Sequence, residues 1–205
     1  MCMKAEVKSD IPHAPRLLIE LEVRDRYGNV IQRHKQEGKS FLYNLIGLLW
    51  QLFQGDSSVS LYEPSSTTGS ATCTTTCSVP VQGSYFSVEA PSGNTNYGIL
   101  IGSSNQSNST SVCSLYSPIT SGVDYGTTSV ASQLNINSTQ GTISFTITRQ
   151  FTNNSGSSIT VQEVGLAIQG NGCYPVLARD VLTSSVTVPN GGSLTVTYTI
   201  ELTIS

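Results

Sequence analysis

The sequence predicts a mainly β protein: an antiparallel β-sandwich of jelly-roll type, preceded by a β-hairpin and one apolar α-helix. Segments in which apolar and polar residues alternate recur from Tyr97 to the C-terminus. Turns rich in Gly and Asn separate these segments, and no helical spacing interrupts them. Many short strands without intervening helices are typical of a sandwich.

The N-terminal hairpin is predicted from the segment LLIELEVR, residues 17–24. Apolar side chains occupy every odd position of this segment, and this period of two indicates a half-buried strand. The following turn, DRYGN, contains Gly28 and Asn29, which tolerate positive φ. Residues 30–34 then form the predicted returning strand.

The apolar helix is predicted in SFLYNLIGLLWQLFQG, with Ser40 as its N-cap and Gly55 as the glycine that ends it. Its small and polar residues follow one narrow stripe, Ser40, Asn44, Gly47, Gln51 and Gln54. The rest of the circumference is apolar, which is more than a surface helix normally buries against its own domain.

A neighbouring copy, the chain's own core or a lipid surface could cover this helix, and self-assembly is favoured among the three. The longest apolar stretch is too short for the roughly 20 residues of a membrane span, so membrane contact is not expected. The predicted oligomer interface comprises Phe41, Leu42, Leu45, Ile46, Leu48, Leu49, Trp50, Leu52 and Phe53.

Three regions are predicted along the chain: a hairpin and helix in 1–55, a Ser/Thr-rich insertion or linker in 56–95, and the sandwich in 96–205. The insertion is long and polar, with one short strand expected at 84–88; such segments are usually functional loops or poorly ordered. In the sandwich, strands are expected at 97–101, 111–115, 130–136, 142–151, 158–168, 176–181, 186–188 and 194–204. The last strand fits a sheet edge, open to another chain, as well as it fits a central position.

Composition favours a protein that ends in an assembly. Charged residues are 11 % of the chain, against roughly 25 % in typical soluble domains, so little charge repulsion opposes association. The net charge is −3, and no basic stripe with interleaved aromatic residues is present, so a nucleic-acid partner is not expected. The first residues lack the pattern of a secretory signal, which indicates synthesis in a cytoplasm.

The cysteines leave three alternatives open, of which buried or free thiols are favoured. The others are a disulfide among Cys73, Cys77, Cys113 and Cys173, and a zinc site. The spacing from Cys73 to Cys77 is one residue longer than a usual zinc knuckle, so no metal or other cofactor is predicted. Intracellular disulfides are uncommon outside hyperthermophiles, so a pairing would suggest a hot host.

No catalytic motif is present, and the chain is not expected to be an enzyme. The charged residues Arg149, Glu163, Arg179 and Asp180 are instead expected to form buried structural ion pairs. Arg149 stands on an apolar strand face, where a desolvated guanidinium calls for a carboxylate, and Glu163 is its expected partner across a hairpin.

The β region resembles a type of virion protein of tailed bacteriophages and archaeal viruses. The resemblance is carried by Tyr97-Gly98-Ile99 with Gly102, and by the segments 149–156 (RQFTNNSG), 159–166 (ITVQEVGL), 177–182 (LARDVL) and 186–198. The early hairpin followed by the F-x-x-N helix, Phe41 to Asn44, is similar too. The resemblance covers about half of the chain and implies a virion component without catalytic residues.

The expected function is therefore a virion subunit, of a tail or associated with a capsid. It would be made in the host cytoplasm and self-assemble through the apolar helix and β edges, with copies of itself and other virion proteins as partners. One alternative is a receptor- or glycan-binding module, a fibre tip or adhesin, with Tyr62, Tyr85, Tyr116 or Tyr125 as stacking platforms. A further alternative is a filament subunit on a cell surface.

Overall fold

The computed structural model describes residues 15–38, 41, 43–64, 73–81, 85–109 and 112–203. As the sequence predicts, the described chain is mainly β with antiparallel sheets. Its one described helix is α1 (Tyr43–Gln54). The strands are β1 (Arg16–Arg24), β2 (Val30–Gly38), β3 (Ser58–Pro64), β4 (Cys73–Pro80), β5 (Gly98–Gly102), β6 (Val123–Tyr125), β7 (Ser129–Val130), β8 (Asn135–Asn137), β9 (Thr142–Asn153), β10 (Ile159–Ala167), β11 (Val176–Val188) and β12 (Ser193–Thr203).

The main sheet has the strand order β2-β1-β12-β9-β6, and β7 and β8 also pair with β9. Strand β12 lies between β1 and β9 and is paired along both sides, with Tyr198 opposite Ile19 and Ile147. The alternative that placed the last strand at a sheet edge is therefore wrong. Its alternating side chains instead let β12 bury one face in the middle of the sheet.

A second sheet, in the order β11-β10-β5, supplies the other half of the principal core. Leu21, Val196 and Phe151 of the main sheet and Ile99 and Val164 of the second sheet belong to one buried apolar cluster. The two strands predicted at 176–181 and 186–188 are one continuous strand, β11. The described part of the strand predicted at 111–115, residues 112–115, is not a strand.

Two glutamine side chains of β2 cover the free edge of β11. Gln36 accepts a hydrogen bond from the Thr183 N–H at 2.8 Å and donates to the Val181 carbonyl at 3.1 Å. Gln32 accepts from the Thr187 N–H and donates to the Ser185 carbonyl in the same way. Each amide takes the place of a peptide group in a neighbouring strand, so this edge is not open for pairing with another chain.

The region predicted as a polar insertion contains a third, two-stranded sheet formed by β3 and β4. Together with α1 it encloses a second, smaller core that includes Leu48, Val59, Leu61, Val79 and Leu177. The short strand expected at 84–88 is wrong for the described residues 85–88, which form a turn and an extended segment. We call α1, β3 and β4 the helix module, and the two larger sheets the body.

Candidate assembly surface

The polar stripe of α1 faces inward, onto the edge of β3. Asn44, which is 1 % exposed, accepts a hydrogen bond from the Tyr62 N–H at 2.7 Å and donates to the Tyr62 carbonyl at 2.8 Å. It also donates to the Val176 carbonyl of the body at 3.1 Å. One amide therefore joins the helix to β3 and to β11.

Gln51, seven residues later and on the same side of α1, repeats this arrangement. It accepts from the Ser60 N–H at 2.7 Å and donates to the Ser60 carbonyl at 3.1 Å. Because Ser60 and Tyr62 are two residues apart, their backbone groups point to the same edge of β3. The helix thus presents two amides in the positions of a neighbouring strand, which is why its polar residues lie inside.

The opposite side of α1 is apolar and exposed. Ile46, Leu49, Trp50 and Phe53 follow the spacing i, i+3, i+4, i+7 and form one stripe along the helix, which we call the outer face of α1. Their side chains are 62 %, 42 %, 62 % and 88 % exposed, respectively. Leu52 and Phe41 flank the stripe and are also exposed.

The residues predicted to form the interface therefore fall into two groups, one exposed on or beside the outer face of α1 and one packed against the smaller core. Leu48 is buried and Leu45 packs beside it against the smaller core, so these two residues belong to the interior of the helix module and not to an interface. They were assigned to the interface because hydropathy alone does not distinguish the two apolar sides of a helix. Leu42 lies outside the described residues.

Helix α1 contains no charged residue. At about 600 Å² in total, judged from the exposed fractions and the roughly 150–250 Å² of a large aromatic side chain, its outer face and flanks reach the upper limit for monomeric proteins. Exposed apolar patches of this size usually mark an interaction site.

A disulfide joins the helix module to the body. Cys77 of β4 is bonded to Cys173, which lies just before β11, with a Cα–Cα distance of 6.3 Å. The favoured prediction of thiols is therefore wrong for these two cysteines, and the disulfide alternative holds for them. Cys113 is buried in the body, and the Cys73 side chain lies outside the described part of the structure. Among the described residues no group of three or more His, Cys, Asp or Glu side chains could hold a metal ion.

Glu163 forms its buried ion pair with Arg179, not with Arg149. Arg179 Nε donates to Glu163 Oε2 at 2.7 Å, and both side chains are fully buried. Glu163 also accepts from the backbone N–H groups of Tyr116 and Ser117, while Arg179 bonds Asn108 and lies over the Tyr116 ring. The pair therefore fixes the long loop between β5 and β6 against the second sheet.

The guanidinium of Arg149 is bound by backbone carbonyl groups and not by the predicted carboxylate of Glu163. Its guanidinium donates to the carbonyl oxygens of Pro91, Asn94, Tyr97, Ile99 and Gly126, and it lies 4.7 Å from the centre of the Tyr125 ring. Burial lowers the pKa of Arg149 to about 10. The predicted pairing failed because five planar N–H donors can be satisfied by converging backbone carbonyls as well as by an anion.

Asp180, the fourth residue of the predicted ion-pair set, is buried on β11. Burial, and secondarily the negative charge of Asp180, raise the pKa of Tyr198 well above its ordinary value. The negative charge of Asp180 on β11 therefore acts on Tyr198 of β12.

The solvent face of the main sheet carries a shallow depression of about 460 Å³ lined by charged residues. Glu22 accepts from Arg33 and Arg24, which together lower the pKa of Glu22, and Glu20 pairs with Lys35. Because these charges pair with one another, the depression offers a ligand little uncompensated charge.

Of the four tyrosines considered as glycan platforms, Tyr125 is 1 % exposed and packs edge-on against Phe151. The prediction of Tyr125 as a stacking platform on the surface is therefore wrong, because its ring belongs to the principal core. Tyr116 lies beneath the Arg179 guanidinium, and Tyr62 and Tyr85 are partly buried in the helix module. The described tyrosines do not assemble into one exposed aromatic surface.

No protein-family model, curated protein or solved structure matches this chain. Among the described residues, no helix has the length and apolar character needed to cross a bilayer. The site that stands out is thus the outer face of α1. The sequence located its apolar residues, but it did not reveal that Asn44 and Gln51 fix which side faces out.

Proposed function

We propose that this chain is a structural subunit of a virus particle that assembles with copies of itself through the outer face of α1. The observation that carries the proposal is the orientation of the helix, with its amides bound to β3 and its apolar side chains in solvent. A monomer gains nothing from the exposure of these apolar side chains, whereas a subunit buries them when it assembles.

In this proposal the body is a jelly-roll-like sandwich that serves as a rigid support. Its two sheets share one core, and its inner ion pair and buried Arg149 fix the connecting loops. The partners are copies of this chain and further virion proteins, and the place of action is the particle after synthesis in the host cytoplasm. The proposed role requires no catalysis and no cofactor.

The helix carries the assembly in this proposal, and several strand edges are already covered. Within the described chain, β12 is central and the outer edge of β11 is covered by glutamine amides. The edge of β3 is likewise occupied by α1. Tail and capsid-associated positions are both compatible with these features. Intracellular disulfides are uncommon outside hyperthermophiles, so in this proposal the disulfide favours a host that grows at high temperature.

The proposal is tested by sedimentation velocity over a wide concentration range, together with electron microscopy of the purified protein. The parent chain is expected to form large, regular assemblies such as rings, tubes or shells. The double variant Trp50→Lys/Phe53→Lys is expected to weaken association at least tenfold, because two charges would have to be desolvated in the contact.

The matched control is Ile31→Lys, which places the same charge at an exposed apolar position of β2 away from α1. It is expected to assemble like the parent. A parent chain that stays a monodisperse monomer at high concentration contradicts the proposal, and so does normal assembly of the double variant.

A further inference from the structure

The core-facing side of the main sheet continues beyond the second sheet that covers it. Along β12, Tyr198 is fully buried, Ile200 is partly buried and Leu202 is 40 % exposed. These residues share one face because they alternate along the strand. On β9, Ile147 is buried while Phe145 and Ile143 are progressively nearer the uncovered end. The apolar face thus extends out of the core into solvent.

Strand β8 widens this uncovered end. Ile143 is paired with Leu202 on one side and with Ile136 of β8 on the other, so the three residues form one row across the sheet. Ile136 is 69 % exposed, and Leu134, two residues earlier, is 59 % exposed. We call Leu134, Ile136, Ile143 and Leu202 the apolar strip; none of its members is charged.

We propose that the apolar strip of one copy receives the outer face of α1 of the next copy. This inference rests on the proposed function and adds the partner surface to it. The two surfaces match in chemistry, since both are apolar and uncharged, and a helix laid on a sheet face is one of the standard ways to bury both.

The alternative arrangement, α1 against α1 about a twofold axis, covers the outer face of α1 but leaves the apolar strip in water. A head-to-tail contact covers both surfaces at once. From the exposed fractions, the apolar strip adds on the order of 400 Å² to the roughly 600 Å² of the helix face. The total of about 1,000 Å² reaches the size at which specific interfaces begin.

A head-to-tail contact has a direct structural consequence. Each copy carries one donor helix and one acceptor strip, so every copy joins two neighbours, and the assembly closes into a ring or continues as a filament. This distinguishes the arrangement from a dimer, in which both copies use the same surface.

The test is a mixing experiment with two double variants, Trp50→Lys/Phe53→Lys on the helix and Ile136→Lys/Leu202→Lys on the strip. Each variant alone is expected to remain monomeric at concentrations where the parent assembles. In an equimolar mixture, the intact helix of one variant meets the intact strip of the other, and a species of twice the monomer mass is expected by sedimentation. Thermal unfolding checks that both variants are folded, and Ile136→Thr/Leu202→Thr is the milder substitute on the strip.

The outcomes separate the two proposals. If both strip variants assemble like the parent while the helix variant does not, the strip is not the partner surface and this inference is overturned, although assembly through α1 stands. If both double variants are monomeric but the mixture yields no dimer, the contact is not head-to-tail and the inference is overturned as well. If the helix variant assembles normally, the proposed function itself fails.

Discussion

The body and the helix module solve the same packing problem in opposite ways. The body encloses most of its apolar side chains between two sheets and holds three buried charges, Arg149, Glu163 and Arg179, with fixed partners. The helix module places amides against a strand edge and leaves large apolar side chains in solvent. The body leaves the apolar strip at one end of its main sheet uncovered, whereas the helix module exposes the outer face of α1 along its length.

Under the proposed function, the two regions separate the interactions that belong to folding from those that belong to assembly. In the body, removal of any one group of the buried network leaves a partner unsatisfied inside the fold. On the outer face of α1, removal of an apolar group costs the isolated chain little, since water already surrounds it. Substitutions in the two regions should therefore separate stability from association.

A large effect on stability is expected for the buried ion pair. Glu163→Gln leaves the Arg179 guanidinium buried without its anion and should lower the free energy of unfolding by about 3–5 kcal/mol. Urea unfolding followed by circular dichroism measures this loss. The matched control, Glu37→Gln, removes the partner of Arg16 in an exposed pair and should leave the unfolding midpoint unchanged. Equal effects of the two substitutions would remove the contrast between interior and surface charges.

The disulfide tests how far the helix module depends on the body. Replacing both Cys77 and Cys173 by Ser opens a link across 96 residues, and chain-entropy arguments put the loss at up to about 4–5 kcal/mol. Because the smaller core has few buried side chains, the loss should appear first as faster hydrogen exchange in β3, β4 and α1. Exchange that rises equally in the body would contradict the division into two regions.

An intermediate effect is expected at the amide that orients the helix. Asn44→Ala leaves the N–H and carbonyl of Tyr62 without their partner and should cost about 1–3 kcal/mol. Gln54→Ala, at the exposed end of the same polar stripe, is the control and should have little effect. Thermal unfolding compares the two variants. If Asn44→Ala is as stable as the control, the amide does not fix the direction of α1.

The smallest effect at neutral pH is expected for Tyr198→Phe, because the Tyr198 hydroxyl is buried without a hydrogen-bond partner among the described residues. Burial raises the pKa of Tyr198 in the folded chain, so its contribution to stability is present below about pH 10 and declines above it. The Phe variant has no hydroxyl to titrate at this position, so its stability relative to that of the parent should increase between pH 10 and 11. Urea midpoints at pH 8 and pH 11 check this, and a parallel decline of both proteins would contradict it.

Much of the body follows from the sequence because its side chains alternate with the pleat. The odd positions of β1 from Leu17 to Val23 and the even positions of β12 from Leu194 to Tyr198 are buried as the pattern indicates. In the Ser/Thr-rich region, by contrast, β3 and β4 were missed, since few of their residues are apolar and the core that they share with α1 includes residues far away in the sequence, such as Ile168 and Leu177.

The partners of polar groups were the least predictable feature. The spacing of Asn44 and Gln51 does not predict whether their side-chain amides bind water or the backbone at a strand edge. The same is true of Gln32 and Gln36. Likewise, Arg149 was expected to need an acid because four of the five converging carbonyls come from residues 50 or more positions away, such as Ile99. The partners of these polar groups depend on backbone segments that are distant in the sequence, and a local residue pattern does not predict how such segments come together.

Trp50 reports directly on assembly through the outer face of α1, because it is the single tryptophan of the chain and lies on that face. Its fluorescence and its quenching by acrylamide can be followed from high dilution to high concentration, alongside the sedimentation mass. We expect red-shifted, readily quenched emission from the monomer, and blue-shifted, protected emission that develops in step with assembly. Emission that is already protected in the monomer, or that remains fully quenchable in the assembled state, would contradict it.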